Sequence, residues 1–210
     1  MMKILKSTLI HSALISIITL LSSPAALAMT ITQTFDQLPF QPIDGLSHQQ
    51  VTFAFQLNGV DSDDAKYGSF GPVMTEFVSD PSVVGDSRGV LSFEFDIPTV
   101  EYAFATVLSQ TAGLSPGFVV TTFDEMMNEL SATPVDTRMS AIALGFSDAQ
   151  FTYSGPAAKR VVVDFADAVG SFAFDNLSYV VPEPNFVGLA PLVLLIFVRR
   201  VRFGANDVRS

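Results

Sequence analysis

The stretch "LSFEFDI", Leu91 to Ile97, places Leu91, Phe93, Phe95 and Ile97 on one side of an extended chain and Ser92, Glu94 and Asp96 on the other. A period of two with one charged side marks a half-buried strand of an antiparallel sheet. The same alternation recurs at Val51, Phe53, Phe55 and Leu57, at Ile142, Leu144 and Phe146, and at Val161, Val163 and Phe165. Asn58-Gly59, Pro81, Gly113, Pro116-Gly117 and Gly155-Pro156 read as the turns between such runs. One segment reads as a helix: in "TFDEMMNEL", Thr122 and Glu125 have capping-box spacing and Phe123, Met127 and Leu130 share a stripe, with the Met pair as core filler. The expected fold is all-β, an antiparallel two-sheet β-sandwich, jelly-roll-like, with one short helix.

Two strands change parity partway. Phe172 and Phe174 agree with each other but not with Leu177 and Tyr179, and Ile31 and Phe35 disagree with Leu38. A switch of parity implies a bulge or a tight bend, because a shift of one residue exchanges the two faces. Asp36 and Asp175 sit at these switches. In a jelly-roll the two chain ends run side by side, so the pair is a candidate Ca²⁺ site between first and last strands. The plainer alternative is that each Asp bonds its own turn.

The ends of the 210-residue chain have a different character. Lys3 and Lys6 precede an apolar stretch from Leu9 to Leu21, Pro24 breaks it, and Ala26-Leu27-Ala28 has the small-x-small spacing of a signal-peptidase site. Residues 1–28 are therefore expected to be a cleaved signal peptide and residues 29–180 an exported domain. Cysteine is absent, which removes thiol catalysis, thiolate metal sites and disulfides. That domain carries five basic residues against nineteen acidic ones, a net charge of −14, so nucleic acid is not an expected partner.

Residues 181–210 combine Pro182-Glu183-Pro184, an uncharged run from Phe186 to Val198, and then Arg199, Arg200 and Arg202. As a helix the run would span about 20 Å, short of the roughly 30 Å of bilayer hydrocarbon, and Pro191 weakens it. A transient stop in the inner membrane suits it better than a permanent anchor, with the arginines on the cytoplasmic side. The order of tripeptide, apolar run and arginines resembles the PEP-CTERM sorting signal of bacterial exported proteins. "FAFDNLSY" and "TFDQLP" resemble, more loosely, the closing and opening strands of β-sandwich proteins in that group. The resemblance implies signal peptidase and an exosortase as partners during export. It also implies a tail removed after sorting, and a destination in the cell envelope, on the outer surface or in an extracellular polysaccharide matrix.

Signals for chemistry are weak. Gly113-Leu114-Ser115-Pro116-Gly117 matches the G-x-S-x-G pattern, but the domain's one histidine, His48, lies upstream and Pro116 suits a plain turn. Asp61, Asp63 and Asp64 begin like an EF-hand loop without its Gly and Glu, leaving irregular Ca²⁺ binding or turn residues. A pair among the nineteen acids could serve a polysaccharide hydrolase, but none is singled out. Asn176-Leu177-Ser178 matches a glycosylation sequon that carries no weight inside a strand. Tyr67, Tyr102, Tyr153 and Tyr179 are the candidate platforms for sugar, since Trp is absent. The leading expectation is a non-enzymatic exported envelope or matrix protein. A carbohydrate-binding module for exopolysaccharide is the alternative, and a hydrolase with paired carboxylates comes third.

Overall fold

A computed structural model describes residues 28–36, 38–68, 75–167 and 170–182; the leader and the tail from Glu183 onward lie outside them. The segment Met29–Val181 is a compact unit with its own core of described residues. Its strands are β1 (Ala28–Gln33), β2 (Gln41–Pro42), β3 (Ser47–His48), β4 (Val51–Leu57), β5 (Val60–Asp61), β6 (Lys66–Gly68) and β7 (Ser82–Asp86). They continue with β8 (Gly89–Leu108), β9 (Phe118–Phe123), β10 (Glu129–Val135), β11 (Arg138–Met139), β12 (Ser147–Phe165) and β13 (Ser171–Pro182). Every register assigned between these strands is antiparallel.

The two longest strands make the architecture. The first half of β8 pairs with β4 and with the end of β12, and its second half pairs with β13 and with the start of β12. Phe93 and Phe104 lie eleven residues apart on β8, which a straight strand would separate by about 36 Å. Their ring centroids are 6.0 Å apart, so β8 folds over and its halves face each other in two packed layers. The corner falls at Ile97-Pro98-Thr99, where Pro98 can donate nothing to a ladder. Thr99 is fully buried, and its hydroxyl lies 2.7 Å from the Val180 carbonyl and accepts from the Val180 N–H at 3.2 Å. The matching corner of β12 holds Gly155-Pro156 within a register shift between Ser154 and Ala158, and a second shift follows between Ala158 and Arg160. There the Tyr153 hydroxyl donates to the Pro156 carbonyl at 2.8 Å. The sequence reading puts a turn at Gly155-Pro156; the chain instead stays within one strand and bends.

Between the layers Phe174 meets Phe93, Phe104, Phe53 and Phe35 at 4.9 to 6.5 Å. The alternations that begin at Val51, Leu91 and Val161 supply this core, except that Ile97, expected on the inner side, is 45% exposed where β8 turns its corner. Asn58 and Gly59, both at positive φ, close the hairpin of β4 and β5 as expected for a two-residue turn. The bulge expected near Asp175 is present: register shifts between Asp175 and Ser178, with Asn176 at φ 57°. Phe35, at φ 61°, makes the earlier bend just after β1 ends.

Two expectations are overturned. No α-helix occurs among the described residues, and Thr122–Leu130 is a hairpin joining β9 to β10. The Asp124 carboxylate accepts from the N–H groups of Met126 and Asn128 at 2.9 and 2.8 Å, holding a tight turn where a helix would need those donors for its own first turn. Met126 and Met127 are exposed at its tip, not core filler. Ile142 and Leu144 are also exposed, in the loop between β11 and β12. The Ser140 hydroxyl accepts from the N–H groups of Ile142 and Ala143, and the Ser140 N–H donates to Phe146, so the loop closes on itself.

A strap, Thr75–Asp80, crosses the outer face of the second layer. Val78 packs there with Ala105, Val107 and Ala173. The strap is fastened from below: Glu76 and Ser79 donate their N–H groups to the buried carboxylates of Asp148 and Asp175 at 3.4 and 3.3 Å. The Asn176 amide donates to the Phe77 carbonyl at 2.9 Å.

Candidate functional site

The short strands β2, β6 and β7 form one flank of the second layer, with Tyr67 opposite Gln41 and Val83, and Asp86 opposite Ser171. They border an open cleft of about 540 Å³, lined by Phe40, Asp64, Lys66, Gly68, Asp86 and Ser171 among others. Phe40 is 73% exposed, yet its ring lies 5.6 Å from that of fully buried Tyr67, which supports it from behind. Gly68 and Gly170 lend the cleft its depth, since a Cβ on either would meet nothing within 4 Å. Gly85 serves the opposite side: a Cβ there would lie 2.8 Å from the Phe172 ring, so it lets β7 close onto the core.

The cleft's charges are arranged in sequence. Asp64 accepts the Asp86 N–H at 2.9 Å, and Asp86 grips Arg88 through Nε at 3.0 and 3.1 Å and a terminal nitrogen at 2.5 Å. Those hydrogen bonds bring the Asp86 carboxyl down to about 2. The Lys66 side chain is exposed, and its ammonium makes no hydrogen bond or ion pair among the described residues. An aromatic face beside a free ammonium and a half-used carboxylate can stack on an apolar ligand face while exchanging hydrogen bonds with its hydroxyls.

Phe40 escapes the sequence reading, which looked for platforms among the tyrosines. The available signal is "LPFQP": an aromatic between Pro39 and Pro42 belongs to no alternating run and is owed to no core. The four tyrosines are all buried, at 1 to 8% exposure. Tyr102 shares a hydrogen bond with Thr122 at 2.6 Å and stacks on Tyr153 at 4.9 Å; Tyr179 donates to the Gln49 carbonyl. All four are core residues, and the hydroxyls of Tyr102, Tyr153 and Tyr179 are hydrogen-bonded.

Asp175 is 2% exposed; its carboxylate accepts from the N–H groups of Asn176 at 2.7 Å and Ser79 at 3.3 Å. Burial raises its pKa to about 6 against these hydrogen bonds, and the charges of Asp36 and Asp80 add to the rise. Asp36 is exposed, and the buried Tyr67 hydroxyl, pushed up first by burial, feels both Asp36 and Asp175. The fold thus brings Asp36 and Asp175 into electrostatic reach of each other. Asp61 accepts from the Gln56 amide at 3.0 Å, and the Asp64 N–H donates to Ser62, so much of that run is turn chemistry; Asp63 lies exposed in it. Among the described residues no group of three His, Cys, Asp or Glu is placed to hold a metal ion.

Ser115 lies in a loop between β8 and β9, not on a strand-turn-helix, and His48 pairs within β3 and β4, so the nucleophile motif has no supporting context. Ala28 begins β1, exposed, and Pro182 ends β13. Ala26, Glu183, Pro184, Arg199 and Arg200 lie outside the described residues.

No protein-family model and no curated protein matches the chain. Among solved structures it is similar to a family 29 carbohydrate-binding module from Piromyces equi, at 9% identity over 73% of this chain and 90% of the other, TM-score 0.38. It is also similar to the K3 cleaved adhesin domain of Lys-gingipain from Porphyromonas gingivalis, at 11% over 73% and 99%, TM-score 0.44. The CBM22-1–GH10 modules of a Clostridium thermocellum xylanase, complexed with xylohexaose, match at 15% over 74% of this chain and 28% of theirs, TM-score 0.37. Likeness this distant says nothing of this chain's ligand.

Proposed function

We propose that the sandwich is a non-catalytic module that binds polysaccharide outside the cell, with the Phe40 cleft as its site. One observation carries the reading: a large aromatic ring stands exposed over an open, glycine-walled cleft with hydrogen-bonding groups on both sides. A jelly-roll-like sandwich is a rigid frame for such a site. Affinity electrophoresis of Met29–Val181 through gels containing glucan, mannan, xylan or a polyuronate tests it. Retardation by at least one polymer is expected, weakened about tenfold by Phe40→Ala, since loss of a stacked aromatic removes on the order of 1.4 kcal/mol. Phe40 is exposed, so its removal leaves the core intact. No retardation by any polymer, or equal retardation of the variant, would sink the proposal.

The ends supply the delivery, by the sequence features that motivate it. In this reading the leader exports the chain, and the tail beyond β13 holds it in the inner membrane until an exosortase cuts near Pro182-Glu183-Pro184. Replacing these three residues by Ala in the native host is expected to leave a longer, membrane-associated form. Mass spectrometry of the mature C-terminus decides the matter, and identical ends in both proteins would reject the sorting role.

A further inference from the structure

Resting on the polysaccharide reading, we infer that the Phe40 cleft selects uncharged pyranose chains and turns away polymers bearing a carboxylate on each sugar. The inference comes from which charges at the cleft are already spent. Arg88 could have neutralised an acidic sugar, but three of its contacts go to Asp86, and the strongly acidic Asp86 carboxyl keeps that pair closed through the neutral range. Asp64 and Asp167 also act electrostatically on Arg88, so even this cation stands in a negative surround. Lys66 is then the one cation among the described residues that line the cleft, with Asp64 and Asp86 beside it.

A polyuronate laid along the cleft would bring several carboxylates and find one ammonium for them. The others would face Asp64, on a domain with a net charge of −14. Screening at physiological salt reaches over about 8 Å, so the acids at the cleft remain felt by a ligand touching them. An uncharged chain meets no such opposition. Its hydroxyls donate to the Asp64 oxygen that the Asp86 N–H leaves free and accept from Lys66. The C–H face of a ring lies on Phe40.

The experiment compares Met29–Val181 binding to a soluble neutral glucan and to a polyuronate of equal length, at 20 and 200 mM salt. Binding to the glucan is expected to change little with salt. Binding to the polyuronate is expected to be at least tenfold weaker at low salt, with the gap narrowing at high salt. Asp64→Asn, which can still accept the Asp86 N–H, is expected to narrow the gap at low salt. Gly68→Leu is expected to abolish binding to the glucan, because the added side chain occupies free space within the cleft. Polyuronate bound as tightly as glucan, or more tightly, overturns the selectivity and leaves the polysaccharide reading standing. Failure of every polymer to bind overturns both. Undiminished glucan binding by Gly68→Leu moves the site elsewhere and overturns the assignment to this cleft.

Discussion

In metal-free buffer, the Met29–Val181 domain is expected to lose about 2–3 kcal/mol of stability between pH 4 and pH 7.5. The cause is Asp175, whose carboxyl titrates near 3.8 when solvated and near 6 under the strap. A raised folded-state pKa means the native form holds its proton more tightly. The resulting stabilisation is complete below pH 3.8 and disappears as pH rises through about 6; two units correspond to roughly 3 kcal/mol, less what solvent screens. Asp86, depressed to about 2, has the opposite sign, and its contribution is lost only as pH falls below 3.8, outside this window. Chemical denaturation at each pH measures the effect, and Asp175→Asn should flatten the profile. A flat wild-type profile would show that the carboxyl is solvated and the strap open. Calcium forms the second arm. We propose that a cation shared by Asp36 and Asp175 offsets the charge that burial penalises. Such a ligand, binding only the folded form, adds about 2.7 kcal/mol at a hundred times its dissociation constant. Equal midpoints in EDTA and in millimolar calcium at pH 7.5 would remove the cation and leave Asp175 as the strap's fastener.

Phe174→Ala is expected to cost about 3–5 kcal/mol, a large part of the roughly 5–15 kcal/mol that holds an ordinary domain together. The ring is fully buried and touches four others, two on the first layer, one on the second and one at the bend after β1. No single neighbour can move in to fill the gap, because each is held by its own strand. In a domain of this size the melting temperature should fall by about 10–15 °C. Phe40→Ala serves as the control, since that ring contributes little to the core. A loss below 1 kcal/mol at Phe174 would mean that the two layers pack less closely than described.

What could be read from the sequence was whatever depends on near neighbours. Leu91, Phe93 and Phe95 announce a strand because alternation is local, and Asn58-Gly59 announces a hairpin because both residues accept positive φ. The Asp175 bulge showed itself as a change of parity within six residues. The corners did not: Gly155-Pro156 looks like a turn, and Ile97 like the end of a strand, until strands elsewhere are known to pair on both sides of them. Thr122–Leu130 carries a true helical pattern, and it loses to Asp124, which offers its donors a nearer acceptor. The cleft is hardest to foresee: Phe40, Asp64, Asp86 and Ser171 lie far apart in the chain and meet only through the order β2-β6-β7-β13.

That order has a mechanical meaning. The cleft reaches Gly170 and Ser171 at one end of β13, while the chain leaves toward its tail from Pro182 at the other, roughly 35 Å away along the strand. A polymer dragging on the cleft while the domain is held at its C-terminal end, by the tail before cutting or by whatever replaces it, would load β13 along its length. This strand is hydrogen-bonded to β8 on one side and is flanked by β1 and β7 as well. Force along it strains these bonds together in shear, whereas force across it would open them one after another like a zip. In the proposed role, a domain grasping polymer at the cleft and held at its C-terminal end would be loaded along β13 in shear.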